Sequence, residues 1–332
     1  MLNLLMLNST KPNSFMSQSI KNAVYVALIS LQVIIIASNE IGFYKNLPLL
    51  ILVLIAAAFS MAMLLGQLTN LEGKYKVVKA LIPSLFAFML LLTWESVIKG
   101  YAVSPILMPA PSNIFDALIN NIPMLWADFK QTYLKAVLAG YIIGCSSGFI
   151  VAQWAVRSQV LRDALMPLGN FMSAIPIVGI APIMVMWFGF DWQSKAAVIV
   201  VMTFFPMFIN TLTGLQSTDA LHKDLMHTYA AKKSQIFFKN QLPHALPFIF
   251  NALKLNSALA LIGAIVAEFF GTPIVGMGFR ISTEVGRMNM DLVWATIVVA
   301  AIAGSLSYGA LALLEKSLLF WHPSYREGNN SR

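Results

Sequence analysis

The stretch DLMHTYAAKKSQIFFKNQLPHALPFIFNALKLNSALALIGAIVAEFFG, residues 224–271, is wet at one end and greasy at the other. Its opening part carries His227, Lys232, Lys233 and Lys239 before the first proline, Pro243. From residue 246 to 270 it is apolar for longer than the roughly 20 residues an α-helix needs to cross a bilayer core. From Lys223 to Asn240 no glycine or proline interrupts, and Thr218-Asp219 stands upstream as a helix start. Leu225, Met226, Tyr229, Ile236 and Phe237 recur at three- and four-residue steps while the lysines fall mostly elsewhere. The spacing predicts one amphipathic helix or two short ones. By periodicity alone it fits either a helix resting on anionic lipid head groups or a docking helix whose apolar side enters a groove on a partner protein.

The rest of the chain places this loop inside a membrane protein. Of 332 residues 58% are hydrophobic and 11% charged, against about 25% charged in a soluble domain. The apolar runs are too long for the strands of a membrane β-barrel, which take about ten residues each, so the fold class is all-α and polytopic. Eight transmembrane spans are expected, at 22–38, 47–67, 78–97, 134–156, 164–189, 195–216, 246–270 and 292–315. The motif Ala37-Ser38-Asn39 only loosely imitates a cleavage site, and no tight basic region precedes it, so the first span is read as uncleaved. The polar linker 69–79 divides a two-span N-terminal extension, residues 1–72, from a six-span domain, 73–332. Residues 101–130 are too polar and proline-containing to cross, and Pro111-Ser112-Asn113 is expected to cap a short amphipathic helix at the outer surface.

The net charge of +8 does not point to nucleic acid, because the basic residues are spread over the loops without interleaved aromatics. Topology accounts for them: with both termini cytoplasmic, the inner segments hold 14 of the 22 lysines and arginines and the outer ones 7. Cys145 is the sole cysteine, which excludes an internal disulfide and a cysteine metal cluster. His222 and His227 stand five apart rather than at the i, i+4 spacing of a helical zinc pair. No metal and no cofactor is assigned. No G-x-x-x-x-G-K-[ST] occurs, so the chain has no phosphate cradle of that kind.

Several other features carry expectations. Pro167, Pro176 and Pro182 each remove a backbone donor from one span and are expected to kink or partly unwind it. Pro176 and Pro182, with Phe204, Phe205 and Pro206 of the next span, are placed beside a translocation path, the rival reading being plain helix packing. Glu268 is the deepest acidic residue; it joins that path or makes a structural hydrogen bond to a neighbouring helix. Lys254, about 21 Å from Glu268 along one helix, is expected to snorkel to the cytoplasmic surface. Gly140, Gly144 and Gly148 form a small-residue ridge for close helix contact, within the chain or between copies. The glycine-rich segment 271–291, with Arg280 and Arg287, reads as an anion site, a docking rim or a short re-entrant gate.

Stretch 224–271 resembles the EAA loop and following span of bacterial ABC importer permeases, in the branch that includes nitrate, sulfonate, taurine and thiamine-precursor importers. MPAPSNIFDAL (108–118), PLGNFMSAIPIVGIAPIMVMWFG (167–189) and FFPMFINTLTGL (204–215) are similar to further segments of that branch. The resemblance implies an inner-membrane homodimer, two copies of a separate cytoplasmic ABC ATPase, and an extracytoplasmic solute-binding protein. It also implies that residues 223–240 are a coupling helix, contacting the ATPase through Asp224, His227, Thr228, Tyr229, Ala230, Ala231, Lys232, Lys233, Gln235, Ile236 and Phe237. Asp224 occupies the family's glutamate position, and Ala230 replaces its usual glycine. Since alanine reaches positive φ less easily, the loop is expected to be a regular helix where relatives turn. An ion-coupled carrier and a non-transporting membrane scaffold are the competing classes.

Overall fold

The computed structural model describes residues 76–271 and 274–321, with isolated positions at Asn22, Tyr25, Leu28, Ile29, Gln32 and Ile55. The expected spans 22–38 and 47–67 therefore lie outside the described residues, those positions apart. All regular structure among the described residues is helical. The chain falls into two compact units, Met1–Asp116 and Ala117–Arg332.

In the first unit, α1 (Lys76–Gly100) turns Phe86, Phe88, Leu90 and Leu91 outward and buries Met89, Glu95, Ser96 and Ile98. Its hydroxyls are silenced locally, Thr93 donating to the Met89 carbonyl and Ser96 to that of Leu92. Helix α2 (Pro111–Asn120) follows. The expected Ser or Asn cap is not how it starts. Pro111 takes the first helical position, where a missing N–H costs nothing. Ser112 then donates its N–H and hydroxyl to Glu95, at 2.9 and 2.7 Å, so a carboxylate from α1 serves the helix start. Lys99 closes on the same carboxylate at 2.5 Å.

In the second unit, α3 runs unbroken over Ile122–Arg157. Residues 122–133, expected to lie outside a span beginning at 134, are the first turns of this helix. Between Lys130 and Val137 it widens into π-helix. Next come α4 (Gln159–Ala174), α5 (Ile177–Phe188), α6 (Trp192–Gln216), α7 (Ala220–Thr228), α8 (Lys233–Glu268), α9 (Met277–Gly286) and α10 (Met290–Leu318). Among the described residues, five helices are long and apolar enough to cross a membrane: α1, α3, α6, α8 and α10.

The span expected at 164–189 is two helices. Ile175 and Pro176 are extended, with ψ of 124° and 129°, because a proline ring pushes the preceding residue out of the α region. Pro167 and Pro182 are absorbed inside α4 and α5.

Helices α3, α6 and α8 form the packed centre, and the glycine ridge shows why. A Cβ on Gly140 would stand 2.6 Å from the Ile199 Cβ, and one on Gly148 would stand 2.5 Å from the Phe204 carbonyl; Gly144 faces Thr203 and Val200 in the same way. The ridge is thus the seam on which α3 meets α6. Cys145, beside it, is buried with Met207, Ala245 and Ile249.

Candidate functional site

The loop between α6 and α8 is a hinged helical hairpin. Asp219 caps α7, its carboxylate accepting from the Leu221 N–H at 3.2 Å. Helix α7 then ends in a Schellman turn: the Ala230 N–H reaches the His227 carbonyl at 2.9 Å, and the Ala231 N–H reaches that of Met226 at 3.0 Å. Such a turn needs a left-handed residue, and Ala230 supplies it with φ of +50°. The expectation of a regular helix through residue 230 is therefore overturned. The orphan carbonyls at the end of α7 find partners only if the chain turns, and that gain outweighs alanine's reluctance. Lys232 is extended, the Gln235 side chain accepts its N–H at 2.8 Å, and α8 begins.

The hairpin shows a mixed face to its surroundings. Leu221, Leu225 and Tyr229, spaced four apart on one stripe of α7, are 75%, 52% and 77% exposed. Asp224, His227, Thr228, Ala230, Lys232, Lys233 and Gln235 are exposed around them, whereas Ala231, Ile236 and Phe237 are half-buried. Phe237 packs on the core cluster of Leu215, Ala245 and Ile249 and so anchors the hairpin to the bundle. A second π segment, Phe237–Gln241, lies at this joint. Leu221 and His222 belong to the same face but precede the stretch singled out from the sequence; the helix start at Thr218-Asp219 was the signal that included them. The His222 ring lies near that of His244, centroids 5.5 Å apart and planes tilted by 55°.

From the hairpin, α8 runs 36 residues, about 54 Å at 1.5 Å per residue, to Glu268. That carboxylate is buried and accepts from the Thr132 hydroxyl at 2.7 Å and the Gly278 N–H at 2.6 Å. Thr132 in turn accepts from Met277 N–H at 2.7 Å, and Asp128 from Gly276 N–H at 2.8 Å. These three N–H groups are the unsatisfied start of α9, held by side chains from α3 and α8. Gly276 is required here: φ is +151°, and a Cβ would stand 2.8 Å from the Glu268 carboxylate.

Each arginine of this segment has a carboxylate partner within the chain. Arg280, 12% exposed, donates to Asp128 at 2.8 Å and is lost to an anion, whereas Arg287 pairs with Glu284 at 3.0 Å and stays 67% exposed. Lys195, at the start of α6, is fully buried and donates to the Phe190 carbonyl at 2.6 Å and to that of Gly271. Lys254 does not snorkel; it pairs with Glu315 of α10 at 2.6 Å.

The other path candidates are dispersed. Pro176, just ahead of α5, and Pro182 on it are exposed. Phe204, Phe205 and Pro206 are half-buried in α6, with Phe204 edge-on to Phe205 at 4.9 Å and Phe205 lying over Gly169 of α4. Glu268 stands apart from them at the far end of α8.

A bundle of membrane-length helices with a partly apolar hairpin at one end and a clamped short helix at the other has the build of a membrane permease. Residues 136–319 match the family of binding-protein-dependent transport system inner membrane components, and the chain belongs to that family. It is 32% identical to the formylaminopyrimidine transport permease protein of Halalkalibacterium halodurans, over 73% of this chain and 96% of that one. It is 30% identical to a putative aliphatic sulfonates transport permease protein of Bacillus subtilis, over 70% and 84%, and 25% identical to the taurine transport system permease protein of Escherichia coli, over 70% and 87%.

Proposed function

We propose that this chain is the membrane subunit of an ATP-driven importer of a small solute, that residues 223–240 dock into a separate cytoplasmic ATPase, and that a soluble binding protein delivers solute to the opposite face. The observation that carries this reading is the continuity of α8. It starts at the hairpin and ends at the carboxylate that grips α9, so a push on one end reaches the other through one helix. Closure of an ATPase pair would draw two hairpins together and tilt α8, and hydrolysis would release them. The exposed stripe Leu221, Leu225 and Tyr229 suits a groove in the ATPase, as an apolar helix edge does in helix-in-groove recognition.

Two copies around a central path are part of the proposal. Helix α5 buries only Ala181 and Val185 and leaves Met186, Trp187 and Phe188 exposed, as a helix beside a path or a second copy would. Both termini face the cytoplasm, residues 1–72 form a two-span extension, and residues 73–332 form the permease domain. The solute is a small anion or a vitamin precursor; relatives are named for formylaminopyrimidine, aliphatic sulfonates and taurine.

The test is replacement of Tyr229, Ala230 and Ala231 together by aspartate. The expected result is loss of both transport and ATPase co-purification with unchanged membrane insertion. Undiminished co-purification overturns the docking role. Accumulation by the purified chain alone under an ion gradient, without nucleotide, would establish a carrier instead.

A further inference from the structure

At the end of the second unit opposite the hairpin, a cavity of about 750 Å³ opens among Lys130, Gln131, Lys135, Phe190 and Asp191. It is built by the π segment of α3. In an α-helix, residues five apart stand about 140° apart around the axis. The i to i+5 bonding between Lys130 and Val137 brings such residues toward one face. Lys130 and Lys135 are five apart, so the π winding aims both lysines into the same mouth. A π-bulge sacrifices regular bonding and is concentrated at functional sites.

The groups in the mouth are ordered. The buried Gln131 side chain donates to Asp191 at 2.6 Å and accepts from the Lys135 ammonium at 2.9 Å, which fixes that cation in place. Asp191 caps α6, its carboxylate accepting from the Trp192 N–H at 2.8 Å. That backbone bond, with smaller help from Gln131 and the nearby lysines, holds its carboxyl below the usual carboxylate range. Lys130 is exposed and has no ion-pair partner among the described residues. Lys130 and Lys135 thus line the mouth with a single carboxylate, Asp191, on which the buried Lys195 also acts, so positive charge is in excess beside Phe190, which is 66% exposed.

We infer that this mouth binds a small organic monoanion, a sulfonate or carboxylate whose charged head sits between Lys130 and Lys135 and whose apolar body lies on Phe190. The inference rests on the importer reading and names its solute class. The arginines that the sequence offered for this purpose are bound to Asp128 and Glu284, whereas these lysines face open space.

The experiment uses the purified full chain in lipid nanodiscs, titrated with sodium methanesulfonate or with neutral methanesulfonamide at constant ionic strength, with thermal stability as readout. Methanesulfonate is expected to raise the melting temperature saturably and methanesulfonamide to leave it unchanged. Lys130→Gln with Lys135→Gln should weaken the apparent affinity about tenfold or more, as loss of charge-assisted hydrogen bonds does. Lys130→Arg should retain it, and Asp191→Asn, which keeps the cap but removes the opposing charge, should tighten it. Equal shifts with the neutral compound, an unaltered response in the double variant, or no response in the native chain overturns the site. Because no ATPase enters the assay, such a failure leaves the importer reading standing, to be judged by co-purification.

Discussion

The ammonium of Lys254 on α8 and the carboxylate of Glu315 on α10 meet at 2.6 Å, with 18% and 10% of their side chains exposed. Both charges are mostly withdrawn from water, and each helps to hold the other there. The pair ties the helix that starts at the hairpin to the last helix of the bundle.

Removing one partner takes the compensating charge away from the other. Lys254→Met is expected to destabilise the protein by about 2–4 kcal/mol, somewhat below the cost at a fully buried pair. Glu315→Leu should do the same, and the two together should recover most of the loss, since an apolar pair of similar volume suits that environment. Thermal melts of the four proteins in one detergent form the double-mutant cycle that measures the coupling.

Ala230 holds φ of +50° in the turn that separates α7 from α8. A left-handed alanine costs about 1 kcal/mol, so Ala230→Gly should stabilise the hairpin by up to that amount and keep ATPase association. Ala230→Val, whose branched Cβ crowds the turn further, should weaken association. Co-purification against a fixed amount of ATPase checks both.

The glycines divide by what surrounds them. Gly148 lies against the Phe204 carbonyl and Met207, while nothing stands within 4 Å of a Cβ on Gly179. Gly148→Val should therefore force α3 off α6 and cost more than about 3 kcal/mol, as severe overpacking can. Gly179→Ala should be neutral or gain up to about 1 kcal/mol from helix propensity. Yield and melting temperature of the two variants distinguish them.

What could be read from the sequence was whatever its own periodicity encoded. The four-residue glycine repeat announced a helix seam, and the α3–α6 contact is that seam. Three prolines announced a weakened span but not which one would break it. Pro176 does so because Ile175 before it is extended, while α4 and α5 tolerate the others. The turn at Ala230 was misread because a local preference was weighed without the carbonyls at the end of α7 that the turn satisfies. Partners distant in sequence left no trace: Lys254 lies 61 positions from Glu315, and Thr132 lies 136 from Glu268. Asp128 and Thr132 drew no notice as site residues, since polar residues just ahead of an apolar run read as loop whether they face water or hold another helix.

The clamp on α9 separates the two ends of the machine. Glu268 takes a hydroxyl donor on one oxygen and a backbone N–H on the other. Glu268→Gln keeps one acceptor for Gly278, and Thr132 can turn its hydroxyl to accept from the new amide, so a modest effect is expected. Glu268→Ala leaves the Gly278 N–H and the Thr132 hydroxyl with no carboxylate, at about 1–3 kcal/mol for each buried group left unmet. Amide hydrogen exchange should then quicken at Gly278 and its neighbours and stay unchanged in the 220–236 hairpin. If α8 carries motion between the ends, Glu268→Ala will still co-purify with the ATPase, yet ATP hydrolysis will no longer respond to a loaded binding protein. A variant that loses the ATPase as well would mean that Glu268 holds the whole bundle together and not the far end of α8 alone.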